Sequence, residues 1–346
     1  MFVGICGYPG SGKTTVFSAL APGSAAGKGV TYGNIKVPDA RVDALAKLFS
    51  PKKKTYAELT FLDVGGTGGN RPNTGAFPAD TIQHMRNADV LVHVVRGFDN
   101  PMLVEDADLE RDIGRFDDEL LLTDLGVLEK RHERFVKSND KTLDAKVTAR
   151  CVAHLEDGEP LRTLELSDDE QATLTGIQLL SQKPLIVLAN LGEEEWEDDG
   201  HSPWRTPRDQ GDNRLAMGIC GLMEAEIATM DAEDQGEFLE ALGIEEPARN
   251  AFIQAAYRLL DLISFLTAGP DECRAWPIRR GSVARKAAGK VHSDIERGFI
   301  RAEIYRLEEL QEYGSEAELK KQGKLRVEGK DYLMVDGDVV NYRFNV

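Results

Sequence analysis

The segment Gly7-Tyr8-Pro9-Gly10-Ser11-Gly12-Lys13-Thr14 decides how the first part of this chain folds. It fits the pattern G-x-x-x-x-G-K-[ST] and lies between Phe2–Cys6, which predicts a buried strand, and Thr14–Leu20, which predicts a helix. Glycines let such a loop curl, so that its backbone N–H groups and the helix dipole concentrate positive potential on a bound phosphate. The sequence therefore predicts a phosphate-binding loop (P-loop) at the start of a nucleotide-binding domain.

The same loop supplies most of the predicted nucleotide contacts. Lys13 is expected to bridge the β and γ phosphates of ATP, and the Thr14 hydroxyl to coordinate Mg²⁺. A glycine-rich turn that binds nothing is the alternative, and the flanking strand and helix disfavour it. The residues of this region predicted to bind nucleotide are Gly7, Pro9, Gly10, Ser11, Gly12, Lys13, Thr14 and Thr15.

Four further apolar runs predict the other strands of a sheet. Continuous apolar runs are typical of parallel strands that helices cover on both faces. Strands that alternate with helices along the chain indicate a doubly wound α/β domain. The runs are Leu59–Asp63, Val90–Val95, Lys183–Asn190 and Ala216–Cys220.

A second motif, Asp63-Val64-Gly65-Gly66, ends the predicted strand Leu59–Asp63 and fits D-x-x-G. Asp63 would hold Mg²⁺ through a water and the Gly66 amide would sense the γ phosphate, so both join Lys13 as predicted catalytic residues. An ordinary Asp-Gly turn at a strand end is the alternative. Thr67 follows, where many GTPases place a glutamine that orients the attacking water. The sequence therefore assigns no water-positioning residue.

A third motif, Asn190-Leu191-Gly192-Glu193, closes the predicted strand Lys183–Asn190, where this architecture reads the nucleotide base. The guanine-reading pattern is N-K-x-D, whose short carboxylate accepts the N1–H and N2 amino hydrogens of guanine. Here Leu191 replaces the lysine, and Glu193 is longer than aspartate. Adenine has no N1–H, so the departure favours adenine or relaxed specificity. A plain turn after a buried strand is the alternative.

Between residues 101 and 182, apolar side chains recur at helical spacing with charged residues between them. Leu120–Phe135 and Thr142–Leu155 are predicted to form an antiparallel helical pair or coiled-coil arm, or alternatively a helical cap. A further helix is predicted at Glu246–Leu262. The predicted domains are a nucleotide-binding domain at 1–100 and 183–262, the helical insert at 101–182, and a small β-rich domain at 263–346.

Residues 263–346 differ from the rest in charge. They carry 15 basic and 14 acidic side chains, whereas residues 1–262 carry 27 basic and 45 acidic side chains. The net charge of the whole chain is −17, which disfavours general wrapping of nucleic acid. Eight arginines and lysines lie from Arg274 to Arg301. Such a stretch suits sequence-independent contacts to RNA phosphate, or it is a solvated basic face. We expect Trp276 and Phe299 to be buried rather than to stack on bases.

Strands are predicted at Arg301–Tyr305, Tyr332–Val335 and Val339–Phe344.

Composition disfavours several classes of protein. Hydrophobic residues make up 41% and charged residues 29%, and no apolar run approaches the roughly 18 residues of a membrane helix. Met1–Cys6 lacks the features of a signal peptide, so we expect a cytoplasmic protein without membrane contacts. The four cysteines form no C-x-x-C pair and the six histidines show no zinc-ligand spacing, which predicts reduced core thiols and no protein-bound zinc.

Several stretches share the pattern of one known family: Gly221–Ile227, Leu242–Pro247, Phe265–Trp276, Ala287–Asp294, Glu296–Glu303 and Asp336–Val346. With N-x-x-E at Asn190 and Glu193, they resemble the YchF / Obg-like ATPase family of P-loop proteins, loosely through the helical insert and most strongly at the C-terminus. The resemblance implies an ATPase that prefers ATP to GTP, associates with ribosomes, and carries a helical arm and a ubiquitin-like (β-grasp) TGS domain. The base contacts that it implies are Asn190, Leu191 and Glu193, together with backbone contacts from Cys220–Met223, among them Cys220, Gly221 and Leu222.

The chain departs from the family pattern in three places. Gly10 replaces an asparagine that is associated with help from a monovalent cation in related proteins. Thr67 replaces a leucine, and the Gly-rich segment Gly68–Gly75 is altered. The element Pro-Phe-x-Thr-Ile is missing, which leaves Thr31 as the nearest candidate for the Mg²⁺-sensing threonine. Nucleotide binding is expected to survive these changes.

These patterns predict a cytosolic switch that hydrolyses ATP with Mg²⁺, binds ATP and ADP, and docks on the ribosome or RNA, acting as a monomer. A nucleotide-gated binding protein with negligible hydrolysis, or an NTPase that prefers GTP, is the alternative. A small-molecule kinase also uses a Pro-Gly-Ser-Gly-Lys-Thr loop, but the helical insert shows no compact arginine-rich lid.

Overall fold

The computed structural model describes residues 1–23, 31–64, 77–197, 207–241, 244 and 246–345. Its contacts separate two compact units. The first unit is Met1–Ile35 with Thr60–Leu259, and the second is Lys36–Leu59 with Leu260–Val346. The boundary near residue 260 lies close to the predicted one at 263. Residues 36–59, however, group with the C-terminal part of the chain, whereas the sequence placed them in the nucleotide-binding domain.

Strands and helices alternate through the first unit, and a second sheet with its own helices forms the second unit. The strands are β1 (Phe2–Cys6), β2 (Thr31–Val37), β3 (Lys53–Thr55), β4 (Ala57–Asp63), β5 (Val90–Gly97), β6 (Leu185–Leu191), β7 (Arg208–Asp209), β8 (Arg214–Ile219), β9 (Leu262–Thr267), β10 (Glu272–Arg279), β11 (Phe299–Tyr305), β12 (Arg326–Glu328) and β13 (Val339–Phe344). The helices are α1 (Lys13–Leu20), α2 (Ala40–Phe49), α3 (Ala79–Asn87), α4 (Leu109–Lys137), α5 (Leu143–Glu156), α6 (Asp168–Leu174), α7 (Glu193–Glu197), α8 (Gly221–Ile227), α9 (Ala232–Ala241), α10 (Ala248–Leu259), α11 (Ala284–Val291), α12 (Ser293–Arg297), α13 (Leu307–Tyr313) and α14 (Glu316–Lys321), with a 3-10 turn at Leu161–Thr163.

The first unit is built on a seven-stranded sheet in the order β2-β4-β1-β5-β6-β8-β7. β1 pairs in parallel with both β4 and β5, and the pairs β5–β6 and β6–β8 are also parallel. The chain adds strands first on one side of β1 and then on the other, so the winding reverses beside β1. In such sheets ligands bind outside the carboxyl ends of the strands at this switch point. The arrangement confirms the predicted doubly wound α/β fold class.

The central strands of this sheet are covered on both faces. Every residue of β6 and residues Val90–Arg96 of β5 are buried, although successive side chains of a strand point to opposite faces. On β5, the His93 imidazole stacks on the Phe116 ring of α4 with 3.9 Å between centroids. On β4, the Phe61 ring lies 5.7 Å from the Phe252 ring of α10. Burial on both faces explains why these strands appear as continuous apolar runs in the sequence.

The predicted helical insert contains a pair of antiparallel helices. α4 and α5 are joined by a short turn, and Arg131 of α4 pairs with Asp144 of α5. The carboxylate of Asp124, buried in α4, accepts hydrogen bonds from the Leu180 N–H at 2.9 Å and from the Ser181 N–H and hydroxyl at 2.7 Å each. These bonds attach the insert to the segment that leads into β6.

The second unit is built on a six-stranded sheet in the order β12-β11-β13-β9-β10-β3. β9 and β10 form an antiparallel hairpin, α11 follows, and β13 returns parallel to β9, which is the strand arrangement of the predicted β-grasp domain. β3 extends the sheet by pairing in parallel with β10. This pairing is the reason why residues 36–59 belong to the second unit.

One predicted strand of the second unit, Tyr332–Val335, is wrong. Leu333 forms only an isolated bridge with Val283. The Val335 N–H donates to Asp338 Oδ2 at 2.8 Å, and the Tyr332 hydroxyl contacts the same oxygen at 3.2 Å. Asp338 is fully buried. Its carboxylate therefore holds the segment in a turn and competes with strand pairing for its backbone groups.

The described part of the chain contains no helix that is long and apolar enough to cross a bilayer. The four cysteines are buried and unpaired, as predicted for core thiols. Burial raises the pKa of the Cys6 thiol to about 12, which leaves this thiol protonated at neutral pH.

Candidate nucleotide-binding site

The predicted site residues come from loops at one edge of the first sheet. The phosphate loop follows β1, Asp63 ends β4, residues 190–193 end β6 and open α7, and residues 220–222 follow β8. Because these strands are parallel, their carboxyl ends bring four separate stretches of sequence to the same edge.

Two glycines give the phosphate loop its shape. Gly10 and Gly12 have φ angles of +82° and +78°, a left-handed conformation that strains residues with a Cβ. Gly12 is also the N-cap of α1, so the helix begins directly at the loop. A Cβ on Gly12 would collide with the side-chain nitrogen of Asn190. The loop therefore curls closely around the N-terminus of α1, the place where backbone N–H groups bind phosphate.

The other loop residues differ in exposure. Gly7 and Ser11 are buried, whereas Pro9 and Thr14 are exposed. Within the described residues, Ser11 Oγ has no hydrogen-bond partner. Thr15, in the first turn of α1, is half-buried. The exposed tip and the first turn of α1 are thus the parts of the loop that a nucleotide can reach.

Asn190 joins the phosphate loop to the loop after β8. Its Nδ2 donates to the Ser11 carbonyl oxygen, and its Oδ1 accepts from the Gly221 N–H, both at 3.0 Å. The residue is only 5% exposed, so water cannot readily replace either partner. The sequence predicted Asn190 as a base contact. The structure adds a second role, which is to fix two predicted nucleotide-binding loops relative to each other.

Phe98 lies in the same place and was not predicted. It follows β5 directly, and its ring comes within 3.5 Å of the position that a Cβ on Gly12 would occupy. Phe98 Cβ lies equally close to the corresponding position on Gly192. Phe98 therefore stands between the phosphate loop and the loop after β6. No sequence motif surrounds Phe98, and only the place of β5 between β1 and β6 brings it there.

The residues predicted to contact the base are not equally accessible. Leu191 is 7% exposed and packs against Gly97, so its side chain faces the protein interior. Glu193 is exposed at the start of α7, and Leu222 is 62% exposed in α8. Burial, and to a smaller degree the charge of Glu193, raises the pKa of the buried Cys220 thiol. Glu193 is therefore a predicted base contact whose side chain is exposed, whereas Leu222 was predicted to contact the base through its backbone.

Asp63 and Lys13 form the charged centre of the site. Burial raises the pKa of the Asp63 carboxyl, and the nearby Lys13 ammonium lowers it in part. Asp63 Oδ1 is buried and has no hydrogen-bond partner in the described part of the chain. Carboxylate oxygens and waters are the ligands that Mg²⁺ prefers. An unpaired carboxylate oxygen beside the phosphate-loop lysine fits a hydrated Mg²⁺ ion, and Thr14 stays the predicted direct ligand.

The described residues do not place two predicted features beside Lys13 and Asp63: the segment that begins at Gly66, and Thr31. Gly66, Thr67 and Gly68–Gly75 lie outside the described residues. Thr31 begins β2, an edge strand that β4 separates from β1. Gly66 as a γ-phosphate sensor and Thr31 as a Mg²⁺-sensing threonine both stay predictions.

Comparison with known proteins identifies the relatives of this chain. Residues 262–345 match the family model YchF-GTPase_C, described as a protein of unknown function. The Ribosome-binding ATPase YchF of Escherichia coli O157:H7 is 34% identical over 358 residues, which covers 99% of each chain. The protein of the same name from Bacillus subtilis is 34% identical over 361 residues, again 99% of each chain. The chain belongs to the YchF family.

A solved structure supports the same relationship. The Schizosaccharomyces pombe YchF GTPase is 26% identical, with a TM-score of 0.86 over 99% of this chain and 97% of that one. A GTP-binding protein from Pyrococcus horikoshii OT3, 17% identical with a TM-score of 0.58, shares the fold. The predicted resemblance to the YchF / Obg-like family is therefore confirmed.

Behind the phosphate loop of this YchF-family chain, Tyr8 belongs to a cluster of aromatic rings. Its ring stacks on Phe77 and meets the His93 imidazole edge-on, each with 5.9 Å between centroids. Burial lowers the pKa of His93 to about 3, so the imidazole is neutral. Glu119 of α4 lies beside the Tyr8 hydroxyl, and burial raises its pKa to about 7. The cluster connects the phosphate loop to the long helix of the insert.

Glu119→Gln is expected to raise the melting temperature most at pH 8. The pKa of Glu119 is about 7 in the folded protein, above its usual value of 4.5, so the folded state binds the proton more tightly than the unfolded state. The free energy of unfolding therefore falls as the pH rises from about 4.5 to about 7 and beyond. Glutamine carries no charge, so the gain over wild type should shrink as the pH falls toward 4.5. Thermal melts across this range test it, with Glu129→Gln on the exposed side of α4 as the control. An equal gain at every pH would contradict the assignment.

Proposed function

We propose that this YchF-family chain binds ATP with Mg²⁺ and hydrolyses it. The observation that carries the proposal is the Asn190 bridge, which holds the phosphate loop and the loop after β8 within hydrogen-bond distance of one side chain. Lys13 and Asp63 lie close to each other at the same edge of the sheet. The name of the curated relatives, ribosome-binding ATPase, supports ATP as the substrate.

In the proposed reaction, Lys13 and the N–H groups of the phosphate loop stabilise the charge that develops on the γ-phosphoryl oxygens. Asp63 would hold the hydration shell of a bound Mg²⁺ through its buried carboxylate oxygen, and the Thr14 hydroxyl would be a direct protein ligand. The ion would supply positive charge that offsets the negative charge of the nucleotide phosphates. Gly66 is proposed to sense the γ phosphate through its N–H. We assign no residue to the attacking water.

ATP is expected to bind at least about tenfold more tightly than GTP. The lysine of the guanine-reading pattern is replaced by Leu191, whose side chain is buried, and Glu193 is longer than the aspartate that pairs with guanine. Calorimetric titration with the Mg²⁺ complexes of ATP and GTP measures the ratio. The Schizosaccharomyces pombe neighbour is named a GTPase, so GTP is the competitor to compare. GTP binding that equals or exceeds ATP binding would contradict the base assignment.

A second candidate function is a nucleotide-gated binding protein with negligible hydrolysis. It is favoured by Gly10, which leaves the phosphate loop without the asparagine side chain of the family pattern. Phosphate release measured with and without ribosomes separates the two functions. Slow release that ribosomes fail to stimulate would favour the binding protein over the ATPase.

We further propose a cytoplasmic, monomeric protein whose second unit contacts the ribosome or RNA through the basic stretch 274–301. Part of this charge is already paired. Lys286 lies 2.9 Å from Glu296, and Arg280 lies 3.0 Å from Asp261. The proposed contact therefore depends on the charges that stay available to phosphate, and it is expected to weaken as salt rises.

Aromatic stacking does not contribute to this proposed RNA contact. The Arg274 guanidinium covers the Trp276 ring at 3.9 Å from its centroid, and the indole N–H donates to the Thr267 hydroxyl at 3.0 Å. Trp276 and Phe299 also pack against the core of the second unit. Both rings are half-buried rather than fully buried as predicted, and this packing favours a role in the core over base stacking.

A further inference from the structure

The segment between β5 and α4, residues 98–108, reaches the phosphate loop, and we name it the Leu103 loop. A Cβ on Gly10 would lie 2.5 Å from Leu103 Cδ1 and 3.4 Å from Leu103 Cγ. Carbon atoms at van der Waals contact lie about 3.5 to 4.0 Å apart. Leu103 therefore occupies the side of Gly10 from which a side chain would project, and residue 10 has no room for one while Leu103 stays in place.

Glu105, two residues after Leu103, holds this loop in position. Its carboxylate accepts a hydrogen bond from Arg115 Nη1 at 3.0 Å and lies 3.7 Å from Arg111 Nη2. Its carbonyl oxygen accepts from the guanidinium of Arg96, which is buried near the end of β5. Three arginines from β5 and α4 thus fix the C-terminal side of the Leu103 loop, two residues after Leu103.

The residues on either side of Leu103 differ from it. Met102 and Val104 are almost fully exposed, whereas Leu103 is half-buried. Leu103 is therefore the member of this apolar tip that the loop holds against the phosphate loop. The two neighbours are apolar side chains of similar size in the same loop without this burial, so they serve as matched controls.

We propose that Leu103 is a positioning residue for the nucleotide: it packs against one side of Gly10, helps hold the phosphate loop in its curled form, and slows the release of bound nucleotide. The inference rests on the proposed binding of ATP at this loop. Fixing a binding loop in its bound conformation lowers the cost of ordering it when the ligand binds.

A double-mutant cycle between Gly10→Asn and Leu103→Ala tests the proposal. Asparagine tolerates a left-handed backbone better than most residues, so Gly10→Asn mainly adds a side chain where Leu103 lies. We expect Gly10→Asn to weaken ATP affinity about tenfold through overpacking. Adding Leu103→Ala should bring the affinity back to that of Leu103→Ala alone, about fivefold weaker than wild type, whereas independent effects would give a loss of about 50-fold. Leu103→Ala alone is expected to speed the dissociation of a fluorescent ADP about fivefold.

Matched variants separate positioning from general effects of mutating the tip. Met102→Ala and Val104→Ala should neither rescue Gly10→Asn nor change the dissociation rate. Leu103→Met, which nearly conserves side-chain volume, should keep the wild-type rate. A Gly10→Asn variant that Leu103→Ala fails to rescue, or an unchanged dissociation rate in Leu103→Ala, would overturn this inference alone. A wild-type chain that binds no nucleotide would overturn the proposed function together with it.

Discussion

Lys13→Met is expected to slow ATP hydrolysis by about 100- to 1,000-fold, the cost of removing one preorganised group that stabilises transition-state charge. Lys13 is half-buried at the first position of α1, and its ammonium offsets part of the rise in the pKa of the neighbouring Asp63 carboxyl that burial causes. Methionine keeps an unbranched side chain and removes the charge. Because Lys13 stands at the edge of the sheet rather than in its core, we expect the fold to persist.

Steady-state phosphate release measures this effect, and a thermal melt of the same sample shows whether the variant is folded. Lys130→Met, an exposed lysine of α4 in the same unit, is the matched control and should hydrolyse ATP at the wild-type rate. A folded Lys13→Met variant that retains activity within about tenfold of wild type would contradict the role given to Lys13.

Asn190→Ala is expected to weaken ATP binding by about 10- to 100-fold and to lower the melting temperature. The variant leaves the Ser11 carbonyl and the Gly221 N–H without the partner that each now has at 3.0 Å. An unsatisfied buried group of this kind costs about 1 to 3 kcal/mol. Loss of both bonds frees the phosphate loop from the loop after β8, so part of the cost falls on nucleotide affinity.

Isothermal titration with ATP and a thermal melt of the free protein separate the two parts of this cost. Asn34→Ala is the matched control, because the Asn34 side chain is exposed and accepts a surface hydrogen bond from the Thr60 hydroxyl at 2.9 Å. It should change neither measurement appreciably. Wild-type ATP affinity in Asn190→Ala would show that the bridge does not organise the site.

Local sequence pattern was sufficient for much of the first unit. β1 begins and ends where the apolar run Phe2–Cys6 predicts, and β5 and β6 differ from their predictions by two residues or fewer at each end. Buried parallel strands produce an uninterrupted apolar run, which few other structures imitate. The phosphate loop was predicted for a related reason, since the positive φ angle at Gly12 favours glycine, and Gly12 is a fixed position of the motif.

Contacts between distant parts of the chain were not predictable. β3 contains Lys53-Lys54-Thr55, a polar triplet without an apolar period, and it becomes a strand only by pairing with β10. Phe98 and Leu103 belong to no motif, and their place in the site depends on the order of strands in the sheet. The second hydrogen bond of Asn190 has the same origin, because sequence shows the side chain but not its neighbours.

Ribosome co-sedimentation in ADP and in a non-hydrolysable ATP analogue tests the central claim, that nucleotide at the phosphate loop controls binding to the ribosome. For the wild-type chain, we expect the ribosome-bound fraction to differ between the two nucleotides by about fivefold, a typical coupling between two sites. Lys13→Met should remove most of this difference. Binding that is the same in both nucleotides, or no binding at all, would contradict the account.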